Sequence, residues 1–219
     1  MTVETEVRIV EATPEHAPFV AWVMLTAFRS HLEKGFWDFL LEENDEAGKL
    51  HYLETLATTD QLHWAHYKPF IVAEVNGTPA AALSGYFEEE LGGEALQMAM
   101  IEANAKTGRS EQQAAAGFGR AMSIMNVIPG HVAGAWIIED VATLPEFRRR
   151  GLVDRLMAEI LERGRARDAT TSDISVFIGN DPAQRAYEKC GFEVVAEKSD
   201  LEFESVYKTP GIRTLRRAI

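Results

Sequence analysis

Cysteine is nearly absent from this sequence, and basic residues are scarce. The 219 residues include one cysteine, Cys190, so an intramolecular disulfide and a cysteine-based zinc site are excluded. Lysine and arginine total 22 against 34 aspartates and glutamates, which gives a formal net charge of −12. A deficit of positive charge argues against nucleic-acid binding through a basic face. A solitary cysteine is typical of a reducing compartment, so we expect a cytoplasmic protein.

Long hydrophobic runs are also lacking. The longest uncharged stretch, 121–138, has about the length of a membrane span. Asn126, Pro129, Gly130 and His131 interrupt its middle, so we interpret it as two buried pieces joined by a turn. The first residues are acidic and show no apolar run typical of a secretory signal. We therefore expect no membrane partner.

The composition that is present is that of a globular protein. Hydrophobic residues make up 46% and charged residues 26%. No repeat, low-complexity tract or Pro/Ser-rich linker divides the chain, so we predict one domain over 1–219. Within it we distinguish an N-terminal half (1–131), a second half (132–207) and a C-terminal tail (208–219).

Hydrophobic periodicity predicts alternating helices and strands. Expected strands cover 7–10, 70–75, 80–87, 135–143, 174–178, 192–196 and 201–206. Expected helices begin after Thr13 and extend over 32–67, over 90–126 with a break near Gly108, over 151–167 and over 182–189. Asn76-Gly77 favours a tight hairpin turn. The alternation predicts an α/β or α+β sheet with helices packed on it.

A strand, an arginine-rich turn and a helix follow one another within 137–153. Arg148, Arg149, Arg150 and Gly151 precede an amphipathic helix. The first amides of a helix lack internal partners and carry partial positive charge. The segment therefore predicts an anion site suited to a diphosphate. The alternative is a solvated arginine cluster that caps a surface helix.

A second informative segment follows about 30 residues later. Asn180 or Asp181 can cap a short helix with Pro182 in its first turn. Gly191 suits the exit from that helix, and Tyr187 lies near its middle.

Together the two segments resemble the GNAT superfamily of acetyl-CoA-dependent N-acetyltransferases. The family's Arg/Gln-x-x-Gly-x-Gly/Ala loop is matched by Arg148 and Gly151, with Val153 where Gly or Ala is usual. The later Asn-x-x-Ala-x-x-x-Tyr-x-x-x-Gly-Phe pattern is matched by Asn180, Ala183, Tyr187, Gly191 and Phe192. The motifs cover roughly 136–196, and the elements upstream fit only as topology.

The resemblance implies a fold and a co-substrate. The fold is a mixed, mostly antiparallel central sheet flanked by helices, here with an enlarged N-terminal helical region and a helical insertion before the cofactor-binding strand. The co-substrate is acetyl-CoA, bound by 132–207, and no metal is expected. Its pantetheine arm would be held by the backbone of Val141, Ala142 and Thr143 and by the side chain of Asn180. Its diphosphate would be held by Arg148, Arg149, Arg150, Gly151, Leu152 and Val153.

The resemblance also implies catalytic roles. Glu139 and Asp140 resemble the acidic pair of the polyamine-acetylating branch, in which the glutamate is the general base. Strand alternation puts the two on opposite faces, so we choose Glu139 by register and keep Asp140 in reserve. Tyr187 matches the tyrosine beside the thioester sulfur, and the N–H of Val141 is the candidate oxyanion donor. The alternatives are an acid paired with a nearby arginine and a tyrosine buried as core.

We therefore expect transfer of an acetyl group from acetyl-CoA to a primary amine of a small molecule or peptide, by direct attack. The helical regions 32–67 and 90–126 are expected to shape the amine pocket. Candidate wall residues are Phe36, Trp37, Trp64 and Phe118, with core packing as the alternative. The alternative function, motivated by Val153, is a non-catalytic acyl-CoA sensor or assembly module. A homodimer, to which 213–219 would contribute, is left open.

One other pattern is relevant to metal binding. His63 and His66 have the spacing of two ligands on one helical face, with His51 upstream. No third ligand of suitable spacing follows, so we predict no metal site.

Overall fold

A seven-stranded sheet runs through the structure, a computed structural model that describes residues 6–219. The strands are β1 (Val7–Glu11), β2 (Phe70–Val75), β3 (Thr78–Phe87), β4 (Trp136–Thr143), β5 (Thr171–Phe177), β6 (Glu193–Ser199) and β7 (Gly211–Ala218). Their spatial order is β1-β2-β3-β4-β5-β7-β6. Only β4 and β5 run parallel, and the other neighbours are antiparallel. The mixed, mostly antiparallel sheet predicted from the sequence is confirmed.

Helices cover both faces of the sheet. They are α1 (Ala17–Arg29), α2 (Phe36–Leu40), α3 (Glu46–Ala57), α4 (Glu88–Leu91), α5 (Gly93–Thr107), α6 (Glu111–Ala121), α7 (Leu152–Arg165), α8 (Asp181–Lys189) and α9 (Leu201–Tyr207). One core, the α1-side core, joins α1, α2, α3 and α5 to the sheet through Val72, Ala82 and Ile137. The other, the α7-side core, joins α7 and α8 to it through Ile71 and Ile138. Within 6–219 no helix is long and apolar enough to cross a membrane.

The hairpin turn predicted at Asn76-Gly77 and the helix break predicted near Gly108 are both present, and both depend on residues with positive φ. Asn76 and Gly77 both have positive φ, 51° and 77°, as a tight hairpin turn requires. Gly108 ends α5 in the left-handed region, at φ 70°. The enlarged helical region is shorter than predicted, because α2 and α3 occupy only part of 32–67. The carboxylate of Asp45 accepts from the N–H of Gly48 at 2.8 Å and starts α3 as a separate helix.

The predicted strand over 201–206 is wrong, because those residues form α9. Asp200 caps this helix by accepting from the N–H of Phe203 at 2.9 Å. Phe203 and Tyr207, one helical turn apart, are buried, whereas Leu201 is 83% exposed. The segment 208–219 is also no tail, since it supplies β7 between β5 and β6. Residues 213–219 are therefore held within the sheet of their own chain and do not form a docking tail.

Leu215→Ala tests the inner position of β7. Leu215 is fully buried and pairs with Ile174 of β5 and Val194 of β6. We expect the free energy of unfolding to fall by about 2–5 kcal/mol, because a cavity opens in a packed core. Denaturant unfolding measures the change. Leu201→Ala is the matched control and should stay within about 0.5 kcal/mol of the parent. Equal stabilities of the two variants would contradict the inner placement of β7.

Candidate active site

Strands β4 and β5 separate partway along, and this opening is the centre of the candidate site. They pair only at Trp136–Ser172, Ile137–Asp173 and Ile138–Ile174, although both strands continue. From Glu139 to Thr143 the β5-facing edge of β4 has no partner strand in the described chain. Unpaired N–H and C=O groups on a strand edge can bind another extended chain. The backbone of Val141, Ala142 and Thr143, predicted to hold the pantetheine arm, lies along this edge.

A β-bulge lies at the start of the opening. Asp140 has φ 55°, an uncommon conformation for a residue with a side chain. Ser84 of β3 pairs with Glu139, whereas Ala82 pairs with Ala142, so β4 carries one extra residue here. Bulges of this kind bend a strand, increase its local twist and redirect side chains. The bulge and the loss of pairing with β5 therefore occur at adjacent residues.

Glu139 lies on the α1 side of the sheet. The hydroxyl of Tyr86, a residue of the α1-side core, donates to Oε2 of Glu139 at 3.0 Å. Burial raises the pKa of Glu139 to about 7, although the Tyr86 hydrogen bond and the charge of His131 oppose the increase. A carboxyl group with a pKa near 7 exchanges its proton readily at neutral pH, as a general base must.

Asp140 lies on the opposite side, near Tyr187 of the α7-side core. It is 5% exposed, and neither carboxyl oxygen has a hydrogen-bond partner in the described part of the chain. Burial and the charge of Glu139 raise the pKa of Asp140 well above its usual range. Because burial and the neighbouring charge raise the pKa of Asp140, Glu139 is the member of the pair that we assign to proton transfer near neutral pH.

Tyr187 of α8 presents a protonated phenol close to the opening. Its side chain is largely buried, and its hydroxyl makes no hydrogen bond to residues 6–219. Burial, assisted by the charge of Asp140, raises the pKa of Tyr187. The phenol thus keeps its proton at neutral pH and can donate it in a hydrogen bond.

Asn180 is occupied by contacts within the protein. Its Oδ1 accepts from the N–H of Ala183 at 3.3 Å, which caps α8. Its Nδ2 donates to Oγ of Ser30 at 2.6 Å and so joins α8 to the end of α1. These bonds use both ends of the amide that the resemblance assigns to the pantetheine region.

The segment from Arg148 to Val153 presents backbone amides beside the opening. Arg149 and Gly151 have φ of 61° and 73°, and α7 begins at Leu152. Among the described residues, no amide from 149 to 154 donates to a protein acceptor. A Cβ placed on Gly151 would meet nothing within 4 Å. An open turn of free amides at a helix N-terminus, with three exposed arginines, fits a diphosphate.

Val153 does not obstruct this turn. Its half-buried side chain packs against the α7-side core. The position at which the sequence departs from the family's loop pattern therefore adds to the hydrophobic core.

Three residues of the site were missed in the sequence. They are Tyr86, His131 and Asp173. Nδ1 of His131 lies 3.3 Å from Oδ2 of Asp173, which is fully buried on β5. An available signal was Asp173, which directly precedes the apolar positions Ile174, Val176 and Phe177, because a buried charge needs a partner. No local signal connects His131 to a residue 42 positions away.

The other predicted residues divide between the core and the surface. Trp37 and Trp64 are buried in the α1-side core, Phe36 packs against it, and Phe118 is 39% exposed on α6. Nε2 of His63 lies 3.1 Å from the carbonyl oxygen of Leu56. No group of three potential metal ligands occurs among residues 6–219.

The fold and this site define an acyltransferase of the GNAT class. A profile described as the acetyltransferase (GNAT) family matches residues 36–192, about 70% of the chain, and the chain belongs to that family. No curated protein matches the sequence significantly.

Solved structures share the fold at low sequence identity. A crystal structure of an acetyltransferase is 18% identical, with 97% of this chain and 99% of that chain covered and a TM-score of 0.69. An N-acetyltransferase from Staphylococcus aureus Mu50 is 18% identical, with 96% and 100% covered and a TM-score of 0.65. A Drosophila melanogaster polyamine N-acetyltransferase is 14% identical, with 98% and 100% covered and a TM-score of 0.55.

Tyr86→Phe tests the environment of Glu139. The variant removes a donor that favours the carboxylate, so the pKa of Glu139 should rise by about 1 to 2 above its value near 7. Carboxyl ¹³C NMR of the parent and the variant measures the change. Tyr67→Phe, which removes a half-buried hydroxyl elsewhere, should leave that resonance unmoved. A pKa that stays constant or falls in Tyr86→Phe would contradict the assigned contact.

Proposed function

We propose that the chain transfers an acetyl group from acetyl-CoA to a primary amine, with Glu139 as the general base. The observation that carries the proposal is the opening between β4 and β5, which has a carboxyl group of pKa near 7 on one side and free helix amides at one end. Family membership supports acyl transfer as the class of reaction.

The residues present fit the co-substrate. Acetyl-CoA would supply the activated acetyl group as a thioester. The edge of β4 from Val141 to Thr143 suits the amide-bearing pantetheine arm, and the turn from Arg148 to Val153 suits the diphosphate. We assign Asn180 to the same binding region, where it would act by keeping α8 in place through its bonds to Ser30 and Ala183.

Proton transfer is the chemical task of Glu139. A primary amine is mostly protonated at pH 7 and cannot attack a carbonyl carbon until it loses a proton. Glu139 takes that proton, and the rate should rise with pH through about 7 as its carboxylate forms. The N–H of Val141 donates to the carbonyl oxygen as negative charge develops there. Tyr187 donates to the departing thiolate.

The proposed class of acceptor rests on the net charge of the chain and on its structural neighbours. A net charge of −12 favours a cationic amine. One structural neighbour is described as a polyamine N-acetyltransferase that forms N-acetylagmatine, and another as a ribosomal-protein-alanine N-acetyltransferase. We therefore propose a small cationic amine, with a peptide amine as the second class.

A non-catalytic acyl-CoA sensor loses the support it drew from Val153, because that side chain packs into the core. One domain over 1–219, a cytoplasmic location and a homodimer stay predictions.

Acetyl-CoA binding and transfer provide the direct test. Acetyl-CoA should raise the melting temperature, and thiol release should appear with agmatine, spermidine or an alanine-initiated peptide. Glu139→Gln should lower kcat/KM about 10²–10⁴-fold while acetyl-CoA still stabilises the protein. Glu111→Gln, an exposed carboxylate of α6, is the matched control and should be unchanged. Stabilisation without thiol release would identify the sensor, and no stabilisation would refute both functions.

Tyr187→Phe should slow transfer without weakening acetyl-CoA binding. The phenol donates to the departing thiolate, and we expect kcat to fall about 10–100-fold. The dissociation constant of CoA, measured by calorimetry, should change less than about twofold, because the ring and its packing are retained. Tyr67→Phe controls for the loss of a hydroxyl. An undiminished kcat would remove the assigned role.

A further inference from the structure

We propose that His131, held by Asp173, passes the proton collected by Glu139 to solvent. The inference rests on the proposed function of Glu139, and it assigns to His131 a positioning and relay role outside direct contact with the acetyl group.

An ion pair between the buried Asp173 and the partly exposed Arg216 holds the imidazole. Arg216 of β7 donates to both carboxyl oxygens of Asp173, Nε to Oδ1 at 2.7 Å and Nη2 to Oδ2 at 2.8 Å. The two residues are direct cross-strand partners. Although burial penalises the charge, Arg216 and His131 lower the pKa of Asp173 to about 2. Asp173 is therefore a fixed carboxylate at all working pH values.

The hydrogen bond to Asp173 selects the free nitrogen of His131. An ionised carboxylate can only accept, so Nδ1 of His131 is the donor across the 3.3 Å contact. Nε2 is then the nitrogen that gains and loses a proton, and Asp173 sets the orientation of the ring. An acid that fixes the tautomer of a histidine in this way is a common device of proton transfer.

The loop before β4 is fixed on both sides of His131. The N–H of Gly134 donates to Oε1 of Glu89 at 2.9 Å. On the other side, Nζ of Lys198 donates to the carbonyl oxygen of Ile128 at 3.0 Å. Because the loop is anchored at both ends, the imidazole has a defined place beside β4 and β5.

Glu139 and the His131–Asp173 contact lie on the same side of the sheet. Asp173 pairs with Ile137, and Glu139 lies two residues further along β4 on that face. Their charges act on each other, since His131 lowers the pKa of Glu139 and Glu139 helps to raise that of His131. The other ionisable groups around His131 are Glu88 of α4 and the Asp173–Arg216 pair. Burial disfavours the imidazolium, but these carboxylates outweigh it and raise the pKa of His131.

A relay gives the half-buried Glu139 a fixed route for its proton. After each turnover its carboxyl group holds one proton, which must leave before the next amine is deprotonated. Tyr86, its hydrogen-bond partner, cannot take that proton, because the phenol is already protonated and burial raises its pKa further. The His131 side chain is 16% exposed and therefore reaches water. The proton passes from the ammonium group to Glu139, then to Nε2 of His131, and then to solvent, with no change in oxidation state.

The first experiment needs no catalysis. NMR titration of His131 should give a lower pKa in Glu139→Gln than in the parent, because a neighbouring negative charge is lost. His51→Ala, on the exposed side of α3, removes one resonance and should leave the His131 titration unchanged. An unaltered His131 titration in Glu139→Gln would overturn the relay whatever the enzyme's activity.

The second experiment measures transfer from acetyl-CoA to agmatine or spermidine at low buffer concentration. His131→Ala should lower kcat about tenfold, and 1-methylimidazole should restore most of it while the parent does not respond. The acid limb of the pH–rate profile should move to higher pH, because the cation that lowers the Glu139 pKa is gone. A His131→Ala variant with the kcat of the parent would refute the relay. A lower kcat that 1-methylimidazole does not restore, together with an unchanged acid limb of the pH–rate profile, would also refute it.

The two proposals fail in different ways. If Glu139→Gln transfers acetyl groups as fast as the parent, the proposed base is wrong, whatever the His131 titration shows. If Glu139→Gln is inactive while His131→Ala keeps the parent's rate and pH profile, the base stands and the relay falls.

Discussion

The separation of β4 from β5 is the constraint on which the rest of this site depends. A sheet normally satisfies its backbone groups by pairing every inner strand on both sides. Here pairing stops after Ile138, and the bulge at Asp140 turns the strand at the adjacent position. The same departure from regular geometry leaves an edge open for an extended ligand and sends two consecutive acids to different surroundings.

Those surroundings decide what each acid can do. Glu139 receives a hydrogen bond from Tyr86 and the field of His131, so its pKa stays near 7. Asp140 has no hydrogen-bond partner among residues 6–219, and burial raises its pKa well above its usual range. Two carboxyl groups adjacent in sequence thus lie in different surroundings that shift their pKa values, which is a common way to divide acid and base roles. The division is a property of the folded environment, since the two side chains are chemically alike.

The polar groups around Glu139 come from several elements far apart in the chain. Tyr86 is on β3, Asp173 on β5 and Arg216 on β7, and His131 is on the loop before β4. Arg216 is available only because the last residues form an inner strand. The C-terminal segment therefore completes both the sheet and the charged support of the site.

Features that depend on near neighbours in the chain can be predicted from the sequence. The turn at Asn76-Gly77, the break at Gly108 and the turn from Arg148 to Val153 follow from local backbone chemistry and capping. The sequence predicts a strand over 201–206 because its apolar residues fit strand alternation as well as helical spacing. Packing of Phe203 and Tyr207 in the core stabilises the helix instead. The Asp173–His131 contact and the pKa of Glu139 arise only in the folded chain. Those depend on burial and on charges distant in the chain, which no local pattern encodes.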